Sequence, residues 1–447
     1  LKRESRKFEA LRPVVIATVL FCVALPCFGQ PVTPLSVDQA VSLALHVASN
    51  YRAFIVGQSV ATEDLRQAHA AFLPRIAAPT TFTYNSSERG QPLNAGLPRA
   101  QSFISLNAIR EYQTGVSLTG ELDIGGRLSA TLRRNRNLLA AARAGTEVAR
   151  RDLVIATKEA YYGVALATAK LETADRNVAA AREFERVTEL MANGGEAPAI
   201  DLSRARLQTT IRMDEQQQAQ ASLVVARESL RFLIGYDKSV GFGVERLGNL
   251  APKAGEIDTL SSQLASGSRP EVPLLEAQRA AALEEASIAR AERRPSIVYI
   301  AGVGADTDSL QPSLLNRHLG ASATIGLSIP IFDWGISKSK EQQARDRAET
   351  LGLQRKVFDR TVNQQLVSAR ALATTSAERV RLASGGIVDA QRNVATSIAR
   401  YRAGEAPILE VTDAQNVLNL QQQTLNQGIY EYRVGIARLE LAAGLTR

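Results

Sequence analysis

The sequence predicts a mainly α protein with a small β part, built from one helix–β-hairpin–long-helix unit used twice. Three observations carry this. The tetrapeptide Gly-Glu-Ala-Pro stands at 195–198 and again at 404–407, 209 residues apart. A proline-free stretch of 67 residues precedes each copy, Arg127–Asn193 and Ile336–Arg402. Ahead of each stretch lies a short run of alternating apolar and polar residues, the pattern of a strand with one apolar face. Solenoid units recur every few tens of residues, so a period this long marks a duplicated, domain-sized unit.

Composition agrees with long, closely packed helices. The chain has 447 residues, only 5% of them aromatic, and one tryptophan, Trp334. Alanine, glutamine and arginine dominate instead, as suits helices lying side by side. The formal charge is +8, of which about +5 lies after residue 30 and is spread along the helices. No basic patch with interleaved aromatics is visible, which argues against a nucleic-acid partner.

The N-terminus reads as a secretory signal peptide, residues 1–29. Lys2, Arg3, Arg6, Lys7 and Arg12 form a basic flank, and Val14–Leu25 is an apolar run too short to span a membrane. Cys27-Phe28-Gly29 then offers small residues for cleavage after Gly29. Lipid attachment would call for a small residue before Cys27, where Pro26 stands. Cys22 and Cys27 are the only cysteines, so the mature chain is expected to carry neither thiol nor disulfide. After residue 30 no apolar stretch approaches the ~20 residues of a spanning helix. Any entry into a membrane must therefore use strands.

The first unit, 35–236, opens with capping-box spacing at Ser36 and Gln39, and a helix is expected to run to about Ala71 before Pro74. Thr80–Tyr84 reads as a strand, Asn85–Arg99 as a polar loop. In Thr114–Leu122, Val116, Leu118 and Leu122 oppose Ser117, Thr119 and Glu121. Gly125-Gly126 ends that strand. The linker, 237–268, is rich in glycine and serine. The second unit, 269–444, repeats the order: a helix over Pro273–Arg293, Pro295, a strand over Ser296–Val303, a polar loop over Asp306–Gly320 and a strand over Ala321–Ile329. Pro330-Ile331-Phe332-Asp333-Trp334-Gly335 closes it, the counterpart of Gly120–Gly125. Each long helix would reach roughly 100 Å. In the first, Leu153, Ala156, Ala160, Val164, Ala167, Leu171, Ala174, Val178 and Ala181 trace a coiled-coil seam. Gly145, Gly163, Gly352 and Gly385-Gly386 are candidate bending points. Gly235 and Gly444, again 209 apart, end the second helical runs.

The chain supplies about four strands, whereas a closed membrane barrel needs about eight or more and tolerates no open edge in lipid. Three chains would supply twelve and could close one barrel. The other reading is a small soluble sheet capping a helical bundle.

The leader, the duplicated order, Pro330–Gly335 and the two Gly-Glu-Ala-Pro turns together resemble the TolC-like outer-membrane efflux protein family, over Leu35–Gly444. The resemblance implies a homotrimer with a twelve-stranded barrel in the outer membrane and a long periplasmic α-helical barrel. Such a protein is the exit duct of a tripartite efflux or type I secretion system, with an inner-membrane transporter and a periplasmic adaptor (membrane fusion) protein as partners. It also implies that Gly194, Gly195, Glu196, Ala403, Gly404 and Glu405 form an adaptor-contacting tip. Glu410 and Asp413 would be lumen carboxylates of a gate, and Tyr401 and Asp201 would restrain its closed state. The bland alternatives are ordinary glycine caps and a solvated helix face. An arginine of the family's usual latch is replaced by Ala406, Gly120 stands where proline is usual, and Asn50-Tyr51 where Asn-Pro is common.

No chemistry is expected. His46, His69 and His318 have no metal-ligand spacing, and no nucleophile or phosphate-loop motif occurs, so neither cofactor nor metal is assigned. Arg133, Arg134 and Arg136 read as a solvated face, a tunnel lining or a lipid-headgroup contact. Trp334 reads as an interfacial anchor or a core residue. The competing function is a secreted or periplasmic coiled-coil scaffold that never enters a membrane.

Overall fold

The computed structural model describes residues 34–84, 110–263, 269–307 and 319–445. The leader 1–29 with its cysteines, the polar segment 85–99, most of the second polar loop with His318, and the end of the linker lie outside the described residues.

Ser36 caps α1 (Val37–Val47): its hydroxyl accepts from the Gln39 amide at 3.2 Å, and Gln39 Oε1 accepts from the Ser36 amide at 3.0 Å. The expected single helix is two. Ala48, with ψ 111°, turns the chain before α2 (Ser49–Ala70) begins. No proline or glycine marks this break, so helical periodicity ran straight through it.

The β part is one open sheet. Strands β2 (Arg75–Ala77) and β3 (Thr80–Tyr84) both pair with β4 (Arg110–Leu122), which pairs with β6 (Ser296–Thr307), which pairs with β7 (Leu319–Ser328), all antiparallel. Strand β5 (Gly243–Val244) belongs elsewhere, in a parallel ribbon with β1 (Pro34–Leu35). The strands β4 and β6 run beyond the expected limits, so Asp306 is in a strand, not a loop. The two hairpins join through β4 and β6. Among the described residues the sheet therefore has two open edges, one on β2 and β3 and one on β7.

Register aligns the apolar residues on one face. Val116, Leu118 and Leu122 lie opposite Val303, Ala301 and Ile297, which lie opposite Ala321, Ala323 and Leu327. Ser117, Thr119 and Gln113 point the other way, and Gln113 Nε2 donates to Asp306 at 3.2 Å. Val298 and Ile300 are exceptions on that polar face. Gly120 departs from proline for a local reason: the ring of Tyr299, its register partner, lies where a Cβ would stand.

At the junction below the sheet, α3 (Arg127–Asn193) and α7 (Ile336–Arg402) start from related caps. Asp123 accepts from the amides of Leu128 and Ser129, each at 2.8 Å, and Asp333 from those of Gly335 at 3.0 Å and Ser337 at 2.8 Å. Bonds from Ser337 hold the Asp333 carboxyl below its ordinary range. Trp334 takes φ 55°, a rare left-handed backbone for a tryptophan, and is exposed rather than in a core. Nearby, Glu341 accepts from Arg290 at 2.9 Å, Arg293 at 2.6 Å and Arg345 at 2.6 Å.

Four helices stand side by side beneath the sheet in the order α2, α3, α6 (Glu271–Ala291), α7. Pro273 sits in the first turn of α6, where its missing N–H costs nothing. Both α3 and α7 continue unbroken for 67 residues, about 100 Å, past all the interior glycines. Lower down, α4 (Ala199–Ile234) folds back along α3, and α8 (Ile408–Ala443) along α7, giving two coils. Along the upper seam of α3 the buried residues are Val154, Thr157 and Tyr161, while Ala156 is exposed. The stripe turns there because α3 packs on the equator, where bulky side chains replace alanine.

That equator is the main core. Tyr161, Tyr162, Leu223, Leu230, Ile234 and Phe242 gather with Val434. The Tyr161 hydroxyl donates to Leu35 O at 2.7 Å and accepts from the Glu245 amide at 3.0 Å, tying down the β1–β5 ribbon. The linker is not featureless: it carries β5, a 3-10 turn at Leu247–Leu250 and α5 (Glu256–Gln263). Arg433 of α8 holds it, donating to Leu250 O at 2.6 Å, Ala251 O at 3.0 Å and Glu256 at 2.9 Å.

Candidate gate at the hairpin tips

The two coils end in the same turn. After α3, Gly195 adopts φ 76° and the Glu196 amide donates back to Met191 O at 2.8 Å. After α7, Gly404 adopts φ 74° and the Glu405 amide donates to Arg400 O at 2.9 Å. This six-to-one bond with a left-handed glycine is the Schellman stop, which satisfies carbonyls left orphaned at the helix end. Pro198 and Pro407 then cap the returning helices in extended backbone. The six tip residues Gly194, Gly195, Glu196, Ala403, Gly404 and Glu405 are all exposed, and both left-handed glycines face open space.

Just behind the turns the coils meet. Phe184 of α3, Ala205 of α4, Tyr401 of α7 and Ile408 and Val411 of α8 form a small buried cluster. The Tyr401 hydroxyl donates to Asp201 Oδ2 at 3.3 Å, and its ring lies 5.5 Å from that of Phe184. Burial, and then the Asp201 charge, push the Tyr401 hydroxyl above its ordinary range, so it remains a donor. Asp201 is buried in the first turn of α4, where the helix dipole favours its charge, and Arg204 stands 3.8 Å away.

Glu410 and Asp413 share one face of α8 but not one environment. Glu410 is half-buried and accepts from Arg400 at 2.6 Å, with Ser397 at 3.4 Å. Asp413 is exposed, and no ion pair to it is found among the described residues. Sequence reasoning grouped these carboxylates as equals, because the pairing arginine lies ten positions earlier, across the turn. It also missed Phe184, although a phenylalanine following the alanine-rich seam at Val178 and Ala181 was a visible signal.

Known proteins supply the context. A family model described as outer membrane efflux protein matches residues 40–236 and 261–445. CusC of Escherichia coli, a cation efflux system protein, is 26% identical over 460 residues, covering 95% of this chain and 98% of its own. AprF of Pseudomonas aeruginosa, an alkaline protease secretion protein, is 23% identical over 300 residues, 66% of this chain and 62% of its own. The CmeC outer membrane channel of Campylobacter jejuni shares the fold, with a TM-score of 0.78 at 16% identity over 91% of this chain and 85% of that one. With both repeats matched by the family model, the chain belongs to the outer membrane efflux protein family.

Proposed function

We propose that the protein is the outer-membrane exit duct of a tripartite efflux or type I secretion system, a passive homotrimeric channel reaching through the periplasm. The observation that carries this is the open sheet. Its apolar face runs from Tyr112 to Leu122, roughly 34 Å along the strand. At barrel tilt this is roughly 25 Å of membrane height, the band that a lipid-facing barrel presents. Its two edges run antiparallel to each other, so β7 of one protomer matches β2 and β3 of the next. Three copies close twelve strands and leave no unpaired edge in lipid.

On this reading the units 35–236 and 269–444 are the two efflux repeats, with 237–268 the equatorial linker between them. The tips at Gly194–Glu196 and Ala403–Glu405 meet a periplasmic adaptor, whose inner-membrane transporter supplies energy. Small exposed residues suit that role, since they let another backbone approach. Asp413 and Glu410 ring the narrowed entrance, and Tyr401 with Asp201 restrains it. The relatives serve a cation efflux system and a protease secretion system, so the duct itself need not read its cargo.

Fractionation tests the reading. Heat-modifiable trimers in the outer membrane that conduct in planar bilayers are expected. A water-soluble monomer would reject the duct in favour of a coiled-coil scaffold.

A further inference from the structure

Between the equatorial core and the tip cluster, the seam joining the two coils is polar. Arg212 of α4 donates through Nη2 to Asn416 of α8 at 2.5 Å, Asn177 of α3 donates to Asn419 at 2.9 Å, and Asn426 donates to Thr173 at 3.3 Å. A polar cavity of about 220 Å³, lined by Thr173, Asn177, Glu215, Asn419 and Asn426, opens beside them. By contrast, Val178 and Ala181 on the same stretch of α3 are apolar and buried. Dispersion contacts resist parting over their whole area. Amide bonds beside a polar cavity exchange for water at small net cost.

Arg212 is unusual within this seam. It is 5% exposed, and its Nη1 is held by both oxygens of Glu215 at 2.8 Å. The Gln208 amide, turned oxygen-first, accepts from Nη2 at 2.8 Å. With its charge balanced and its fork immobilised on α4, Arg212 presents one N–H across the seam. Asn416 is exposed and belongs to the other coil. Arg212 lies eleven residues beyond Asp201 along α4, about 16 Å above the Tyr401 contact.

We infer that the Arg212–Asn416 bond is a second restraint on the closed entrance, acting in parallel with Tyr401–Asp201 at a different height of the same pair of coils. The inference rests on the gating reading above. A coil that swings outward from the equator must break both bonds, so each adds its own free energy to the narrow state. Asn416 is thus a positioning residue of the gate, and its partner is pre-set by Glu215 and Gln208.

The test is the single-channel conductance of full-length trimers in planar bilayers. Asn416→Ala is expected to raise open probability by at least about fivefold, the population shift that one lost hydrogen bond produces in each protomer. Combined with Tyr401→Phe, it should exceed the sum of the two single effects. Asn416→Asp keeps an acceptor for Arg212 and should stay at or below the unsubstituted channel. Equal yields of heat-stable trimer show that folding is unaffected. If Tyr401→Phe opens the channel while Asn416→Ala does not, or if Asn416→Asp opens it as far as Asn416→Ala, the second restraint is wrong and the gate stands. If neither substitution nor their combination changes conductance, the gate reading falls and this inference falls with it.

Discussion

Tyr401 meets both helices of the opposite coil at once, its hydroxyl on Asp201 of α4 at 3.3 Å and its ring 5.5 Å from Phe184 of α3. The two contacts separate by substitution. Tyr401→Phe keeps the ring and removes the donor, and should raise conductance while trimers stay intact, costing about 1 kcal/mol of stability. Tyr401→Ala also loses the packing and should cost about 3–5 kcal/mol, seen as a lowered thermal midpoint. Equal conductance in Tyr401→Phe and the unsubstituted channel would remove the bond from any restraining role.

The entrance charge should be unequal between the two candidate carboxylates. Arg400 already compensates Glu410 at 2.6 Å, whereas Asp413 is exposed. Asp413→Asn should therefore reduce cation selectivity and cation block more than Glu410→Gln. Glu410→Gln should instead loosen the turn, because it frees Arg400 within the α7–α8 coil. Reversal potentials under a salt gradient measure the first effect, and screening by added salt should shrink it.

How far the sequence exposed this architecture depended on whether a feature was periodic. The helices α3 and α7 were legible to the residue, because a proline-free stretch ends at a glycine stop in each copy. The strand faces were legible because register preserves alternation from β4 to β7. The break at Ala48 was not, since its cause is tertiary and α1 turns to pack on the equator. Seam position Ala156 was misassigned for the same reason. At the candidate gate, Tyr401 and Asp201 came from resemblance, and their side chains lie 3.3 Å apart. Arg400, Arg212 and Asn416 gave no local signal: their partners lie 10 and 204 residues away in sequence.

The tip glycines set a further expectation. Gly195 and Gly404 have φ 76° and 74°, and nothing lies within 4 Å of a Cβ built on either. Alanine there meets no clash, only backbone strain, so each substitution should cost about 1–2 kcal/mol and leave the trimer folded. Larger side chains add bulk where an approaching backbone would sit. Gly404→Leu should abolish co-purification of the adaptor while conductance of the isolated channel persists. Retained adaptor binding in Gly195→Leu and Gly404→Leu together would move the docking surface elsewhere.

Acid should weaken the junction below the sheet through Glu341. Its carboxylate accepts from Arg290, Arg293 and Arg345, and the Arg290 bond foremost holds it below the usual glutamate range near ~4.3. A carboxyl whose folded value is depressed contributes stability that is complete above its unfolded value. That contribution is lost as pH falls from there through the lowered folded value. The thermal midpoint of the trimer should accordingly drop as pH goes below about 4. Glu341→Gln lacks this titration and leaves three guanidinium groups without their shared counter-charge. It should melt lower than the unsubstituted protein at neutral pH, and the two melting curves should converge in acid. Parallel curves across that range would show that Glu341 is not the group that couples this junction to protons.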